Sequence, residues 1–391
     1  MITEIRVEDA KNWNYTVRSF SDYDVFYLNE YVTAFENYKE KNGVPILLYY
    51  ENDADRAIYV VFKRDIGLEP NLGGKVKKDK IYDLISPYGY GGWWGQINDY
   101  DELNKEYDFY CSSHHYVCEF VRFELFSDYH FHYDGKIKTR TRNVVRNLKI
   151  PIDEMWMDFK QNVRKNVKRA SKNGLKVLID EEDHINDHLS EFLRIYYSTM
   201  DRTNAEDEYY FDEKFFRKIN TMTENVVYFY TITPEDGRII STELVIYGSE
   251  NAYSYLGGTD SDYFSLRPND ILKYEIIRWC QHKGLKNYVL GGGYGSDDGI
   301  FEYKRHFAPN GVVNFYIGMK VIDEKNYKDL CALRGIDITS DTEYTGFFPK
   351  YRGGGYRLNK AIIFYNYSIG SYLSSINFED RDTARIEVYA A

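Results

Sequence analysis

Apolar and polar positions alternate between two rhythms along this chain, and the same order of rhythms occurs twice. From residue 24 to 43 apolar residues recur near helical spacing up to Gly43, which predicts a helix closed by a glycine C-cap. "VPILLYY" and "AIYVVFKRDI", separated by the turn-like "ENDAD" (51 to 55), read as a hairpin of β-branched and aromatic strands. "IYDLISPYGYGGWW" reads as a strand running into a Gly-rich loop. A helix over 98 to 115 with an Asn or Asp cap and the strand "YVCEFVRFELF" follow it. In the second half helices are predicted at 189 to 203 and 212 to 222. Three strands come next, at 225 to 233, 238 to 248 and 251 to 259, then a helix from 269 to 284 with Asn269 as candidate cap and the strand "KNYVLGG". Tyr82 aligns with Tyr253 and Val117 with Tyr288 at one constant offset, which argues for a duplicated α/β unit.

The two copies set the domain boundaries. The join falls near "KTRTRNVVRNLKIPIDEMW", where a strand-like run meets Pro151 and an acidic helix start. Residues 1–150 form the first predicted domain and 151–332 the second. Residues 333–391 are a C-terminal extension of looser pattern with a Gly triplet.

Composition narrows the class. With 391 residues, 43% hydrophobic and 28% charged, the chain has globular composition. The start lacks a basic region followed by an apolar run, and no window approaches the roughly 18 apolar residues of a membrane span, so a cytoplasmic protein is expected. Cys111, Cys118, Cys280 and Cys331 lack metal-ligand spacing and read as buried thiols. The forty tyrosines accompany abundant Lys, Asn and Ile, so they carry no functional weight as a composition.

Charge adds the first chemical feature. The formal net charge is −11, yet "FKQNVRKNVKRASKNGLK" (159 to 176) holds Lys160, Arg164, Lys165, Lys168, Arg169, Lys172 and Lys176 without an acid. On a helix, Arg164, Lys168 and Lys172 share one face, with Lys165 and Arg169 beside them. Such repulsion needs compensation, either from the acidic "DEEDHINDHLSE" that follows at 180 to 191 or from an external polyanion. "GGGYGSDDG" (291 to 299) lacks both the G-x-G-x-x-G fingerprint and a calcium-loop glutamate, so neither a dinucleotide nor a metal is expected there.

Four stretches together resemble a known family: "NVRKNVKRASKNGLKV", "RIISTELVIYGSENAYSYLGGTD", "RPNDILKYEIIRWCQHKGLKNYVLGG" and "GIFEYKRHF", with a weaker match at "YVCEFVRFEL". Their order and spacing are similar to those of the Fem-type peptidoglycan-bridge aminoacyltransferases, members of the GNAT superfamily with two GNAT-like domains in tandem. The resemblance implies an α/β (α+β) fold with mixed, mostly antiparallel sheets flanked by helices. It also implies transfer of an aminoacyl or acyl group to an amine of a peptidoglycan or other cell-envelope precursor.

The resemblance also assigns residues. Lys304 in "FEYKRHF" stands where Fem-like enzymes place a lysine near the reacting centre, suited to stabilising negative charge that develops in acyl transfer. Glu124 in "VRFE" matches a family "RFD" carboxylate that faces the acceptor amine and can take its proton, with one methylene more of reach. Tyr253 and Tyr255 fall where family tyrosines line the acceptor cleft, and their alternation places both on one side of a strand. Arg164, Lys165, Lys168 and Arg169 would hold phosphates, from an aminoacyl-tRNA donor or a phosphate-bearing precursor. No tightly bound cofactor and no metal are implied, and contact with a membrane surface is compatible with such an acceptor.

Two departures qualify the picture. Where a CoA-dependent GNAT carries Q/R-x-x-G-x-G/A this chain reads "GGTDSDYFSLRPND", which removes the glycines that wrap a pyrophosphate. Where a relative using UDP-linked precursors carries an arginine it reads the acidic "RTNAEDEYYF", and the long coiled-coil arm of some members is missing. The alternatives are an N-acyltransferase using acyl-CoA or an acyl carrier on an amino-sugar for polysaccharide assembly, and a non-catalytic binding module of the same fold.

Overall fold

In the computed structural model, which describes residues 1–36, 38, 43–293, 298–339 and 344–353, the two copies share one continuous sheet. The first comprises β1 (Ile2–Arg6), α1 (Ala10–Arg18), α2 (Asn29–Ala34), β2 (Val44–Glu51), β3 (Arg56–Asp65), β4 (Tyr82–Ile85), β5 (Trp94–Gln96), α3 (Tyr100–Ser113), β6 (Tyr116–Arg122) and β7 (Lys136–Asn147). Two short helices, α4 (Ile152–Asp158) and α5 (Gln161–Lys172), lead into the second copy. That copy comprises β8 (Lys176–Glu181), α6 (Leu189–Thr203), α7 (Glu213–Ile219), β9 (Val226–Ile232), β10 (Ile239–Tyr247), β11 (Asn251–Thr259), α8 (Pro268–His282), β12 (Asn287–Gly291), α9 (Gly299–Arg305) and β13 (Val312–Val321). Helix α10 (Glu324–Leu333) follows.

The strand order is β1-β2-β3-β4-β6-β13-β7-β12-β11-β10-β9-β8, with β5 added to β3. All pairings are antiparallel except β4 with β6 and β11 with β12, the same pair in each copy. Tyr82 and Tyr253, and Val117 and Tyr288, lie in these equivalent pairs, so the constant offset in the sequence reflects a structural repeat.

The copies exchange their last strands. β7 ends the first copy yet pairs with β12 of the second, whereas β13 ends the second copy and inserts beside β6 of the first. β7 and β13 pair with each other along most of their length, which makes the junction the middle of the sheet. Gly311 permits the turn into β13: its carbonyl accepts the Val145 amide at 2.7 Å, and a Cβ there would lie 1.8 Å from the Val145 oxygen.

One apolar core spans both copies on the face covered by α1, α2, α6 and α7. Phe35 just after α2 meets Phe215 of α7 with ring centroids 5.0 Å apart, among the buried Tyr31, Phe192, Phe216 and Tyr228. Helix α6 approaches β11 closely because Gly258 has no side chain, since a Cβ there would lie 2.3 Å from Thr199 Oγ1. On other surfaces α3 packs over the first copy through Leu103 and Tyr107, and α5, α8 and α9 cover the second through Val163, Ile276 and Phe301.

Several predicted elements differ. In the described part of 24–43 the expected helix is replaced by a 3-10 turn (Val25–Tyr27) followed by the six-residue α2, because Asp24 caps Val25 and Leu28 is extended. Asn269 is not a cap: α8 begins at Pro268 after Arg267 in the left-handed region, and Asn269 is buried with its amide donating to Tyr303 Oη at 2.8 Å. β1 and α1 went unpredicted, since five and nine residues of mixed polarity give too short a period to read. Part of the stretch 291 to 299 and residues 354–391 lie outside the described residues. Among the described residues no helix is long and apolar enough to cross a membrane.

Residues 344–353 return to the first copy and dock through a buried ion cluster. Asp83, fully buried, accepts Arg64 Nε, Arg352 Nε and Tyr351 Oη, each at 2.6 Å, and Arg352 Nη1 reaches Glu69 at 2.6 Å. Burial works to raise the Asp83 carboxyl, but Arg352 and Arg64 hold it below its ordinary value. Asp83→Ala leaves two cations without their common partner and is expected to cost about 3–5 kcal/mol in urea unfolding at pH 7; a cost under about 1 kcal/mol would show that the docked segment adds little.

Candidate functional site

The parallel strands β11 and β12 pair only from Asn251–Asn287 to Tyr253–Val289, and beyond that point they part. β11 turns alternate side chains to opposite faces of the sheet: Ser254 toward α8, Tyr253 and Tyr255 toward α2 and the first copy. Chemistry-bearing groups collect on both sides of this opening.

On the α8 side lies a buried network. Lys273 of α8 donates from Nζ to Glu243 Oε2 at 2.5 Å and to Ser254 Oγ at 2.7 Å, while Tyr288 donates to Glu243 Oε1. Lys304 of α9 is 1% exposed and donates to the Gly292 carbonyl at 2.6 Å, just past the end of β12. Burial lowers its pKa to about 7, reinforced by the Lys273 cation and opposed by Glu243 and Asp298. An ammonium so placed gives up a proton readily at neutral pH.

On the opposite face two carboxylates share a site. The Tyr253 hydroxyl lies 2.6 Å from Asp24 Oδ2 and 3.0 Å from Glu124 Oε1, and all three residues are at most 3% exposed. Asn251 donates to Asp24 Oδ2 at 3.1 Å, and the amides of Val25 and Leu125 hold the outer oxygens. Burial raises both acids, Asp24 to about 6 and Glu124 well above its ordinary value with the Asp24 charge adding to it. The pair therefore keeps a shared proton near neutral pH, and Glu124 can take or pass one. Glu124 is in position because the Gly-rich loop extends β6: Glu124 N donates to Gly91 O at 2.8 Å and Gly91 N to Arg122 O at 2.7 Å.

Lys304 and Glu124 thus face opposite sides of the sheet, linked through the parted strands. The Tyr253 ring lies 5.6 Å from that of Tyr90, whose hydroxyl donates to Asn143 Oδ1 at 3.3 Å. That oxygen is 3.8 Å from where Gly292 would carry a Cβ, and Gly292 holds Lys304. Tyr255 is on the same face as Tyr253 but separate from the acids: its hydroxyl lies 3.2 Å from that of Tyr31 inside an aromatic cluster.

The basic segment is α5, from 161 to 172, anchored through Val163, Val167 and Ala170. It adjoins the end of α9, since Lys160 N donates to His306 O at 3.0 Å and Asn162 contacts His306 Nδ1 at 3.0 Å. Arg164 turns back to donate to the carbonyls of Met157 and Phe159 at 2.6 and 2.7 Å, so it fastens α4. Lys165, Lys168 and Arg169 are exposed and form no ion pair among the described residues, although Lys168 sits 5.9 Å over the Trp156 ring. The acidic stretch does not neutralise them: Asp180 meets His188 at 3.0 Å, Asp187 meets His184 at 2.9 Å, and Glu181 meets Lys283 at 3.7 Å. Among the described residues no acidic side chain pairs with Lys165, Lys168 or Arg169.

Sequence reasoning missed Asp24, Glu243 and Lys273. Glu243 carried a signal, a lone carboxylate inside the apolar strand "IISTELVIY". Asp24 carried none, because its role depends on Glu124 and Tyr253, 100 and 229 positions away.

Residues 157–305, which run from α4 through α9, match the acetyltransferase (GNAT) domain family. The crystal structure of FemX superposes with a TM-score of 0.61 at 12% identity, covering 84% of this chain and 98% of FemX. The chain has a Fem-type GNAT fold. The structure of L-PGS from Bacillus licheniformis superposes at a TM-score of 0.51 and 12% identity, over 85% of this chain and 98% of that one. No curated protein matches the sequence. The parted strands β11 and β12 lie within the matched residues, and Tyr253 of β11 meets Asp24 and Glu124 across the junction of the two repeats.

Two outcomes follow from the buried charges. The raised acids bind more protons folded than unfolded, so their cost to stability sets in as pH rises from about 4 through their raised values. Glu124→Gln is therefore expected to be more stable than the parent at pH 8 and to lose that advantage at pH 4, read as thermal midpoints. A pH-independent difference would refute the shared-proton reading. Lys304 is destabilising below about 7, and that cost disappears as pH climbs toward the ordinary lysine value near 10.4. Lys304→Met should flatten the corresponding gain in the parent between pH 7 and 10.

Proposed function

We propose that the protein transfers an aminoacyl group from an aminoacyl-tRNA to an amine of a cell-envelope precursor. The observation that carries this reading is the unpaired cationic face of α5 abutting the helix that bears Lys304. A phosphate backbone on Lys165, Lys168 and Arg169 would bring its acylated end toward the opening beside α9.

In this reading the acceptor amine attacks the ester carbonyl, a C–N bond forms, and the C–O bond to the leaving ribose oxygen breaks. Glu124, backed by Asp24 and Tyr253, takes the proton the amine loses. Lys304 stabilises the developing oxyanion and supplies the proton to the departing oxygen, for which a pKa of about 7 is suited. Lys273 and Glu243 hold Lys304 in a neutral surround, and Tyr253 and Tyr255 shape the acceptor side.

The start of α8 supports a donor other than CoA. A pyrophosphate would need open amides there, whereas Arg267 is left-handed, Pro268 lacks an amide hydrogen, and the Asp270 carboxylate is 5% exposed in the first turn. Asp270 accepts from Asn166 of α5 at 3.1 Å, and an acid there opposes an anionic ligand.

Purified protein incubated with charged tRNA and cell-envelope precursors should give acylated product, and ribonuclease should abolish it. Acylation from a purified thioester that ribonuclease leaves untouched would instead favour an acyl-CoA or acyl-carrier enzyme. Lys165→Ala and Lys168→Ala should each weaken tRNA binding and reduce the slope of log affinity against log salt by about one; an unchanged slope would remove α5 from the donor site. Loss of turnover in Lys304→Met with an intact fold would exclude a non-catalytic module.

A further inference from the structure

Between α6 and the outer strands of the sheet lies an open pocket of about 390 Å³ that none of these roles uses. Its volume is within the range of small-molecule sites. β8, the last strand of the sheet, stands three strands beyond β11, about 14 Å at ordinary interstrand spacing, so the pocket is separate from the parted strands. Leu178 of β8 and Ile232 of β9 give it an apolar wall together with Ile239 of β10. They lie on one face, because Leu178 opposes Tyr230, two residues before Ile232, and Ile239 opposes Ile232 itself.

The rest of the lining is chiefly charged. The buried Asp180 carboxylate accepts the His188 amide and bonds His188 Nδ1, both at 3.0 Å, which fixes the ring at the start of α6. A carboxylate partner keeps the proton on Nδ1, so the neutral imidazole offers Nε2 to the pocket as an acceptor. Tyr230, with its ring 5.5 Å from that of His188, has a fully buried hydroxyl that faces Asp180 without a well-formed hydrogen bond among the described residues. A buried polar group left so marks a place where a further polar atom is needed. Glu191 accepts Ser190 Oγ at 2.6 Å and has no ion pair among the described residues. Arg194, one turn further along α6, is directed instead to the Ile239 carbonyl at 2.9 Å and to Asp260 at 3.8 Å, and Arg238 reaches the same Asp260 at 3.4 Å. One carboxylate of the pocket thus lacks a cation, while two guanidiniums share a single acid at long range.

We propose that this pocket binds a free amino acid with an apolar side chain. Its ammonium group sits between Glu191 and His188 Nε2, its carboxylate on the forks of Arg194 and Arg238, and its side chain on Leu178, Ile232 and Ile239. A ligand of a single charge answers one set of these groups and opposes the other, whereas a zwitterion answers both. The apolar wall favours a branched or aromatic side chain over a bare glycine. The pocket stands apart from Lys304 and Glu124, so the proposal holds whether or not the acyl donor is a tRNA.

Calorimetric titration of the purified protein with leucine, valine and phenylalanine tests this site. The tightest of the three is then compared with its decarboxylated amine, its deaminated carboxylate and glycine, and is expected to bind about tenfold more tightly than each. Glu191→Gln should bring it down to the level of the deaminated carboxylate. Arg238→Gln, at a half-exposed position, should bring it toward that of the amine, with the thermal midpoints of the free proteins unchanged. Absence of saturable binding for all three amino acids at millimolar concentration would overturn the site. Equal binding of the amine or the carboxylate, or affinities untouched by both variants, would do the same. Binding lost in Glu124→Gln yet kept in both pocket variants would place the amino acid at the transfer site instead and equally refute the proposal.

Discussion

The pairing of β7 with β13 is the constraint on which this molecule depends. Each copy gives its last strand to the other, so neither sheet is complete alone and the two cannot be separated without breaking the central ladder. The exchange also aligns β6 with β13 and β12 with β7, which fixes how the Glu124 region of one copy lies against Tyr253 of the other. A site assembled from Asp24, Glu124 and Tyr253 needs that alignment to within the length of a hydrogen bond.

Electrostatics in a dry interior does the rest. Lys273 and Glu243 compensate one another, so Lys304 is buried next to a nearly neutral pair and bears chiefly its own desolvation. Burial raises the two acids across the sheet, and the Asp24 charge adds to it for Glu124, so the pair shares protons. One face holds a base-like pair inclined to keep a proton and the other an ammonium inclined to lose one. The parted strands β11 and β12 lie between the two groups.

The cationic surface of α5 follows a different logic. Its apolar stripe is spent on packing, Arg164 on fastening α4, and the remaining charges stay in water, where mutual repulsion is weak and salt-screened. Holding them there costs little, and the adjoining acidic stretch is engaged by its own histidines and Lys283.

How much of this was legible follows from the range of the forces involved. Alternation and helical spacing mark most strands and longer helices because they depend on neighbours a few residues away, and the duplication was visible because the same local rhythm occurs twice. The cap of α8 and the short elements near the start were misread or missed, since a left-handed Arg267 and a six-residue α2 depend on what packs around them. The sequence by itself determined the repeated α/β order, the basic face of α5 and the candidates Lys304 and Glu124. Tertiary structure alone decided the strand exchange, the partnership of Glu124 with Asp24 and the opposite placement of Lys304, because burial and pairing between elements distant in the chain are properties of the packed sheet.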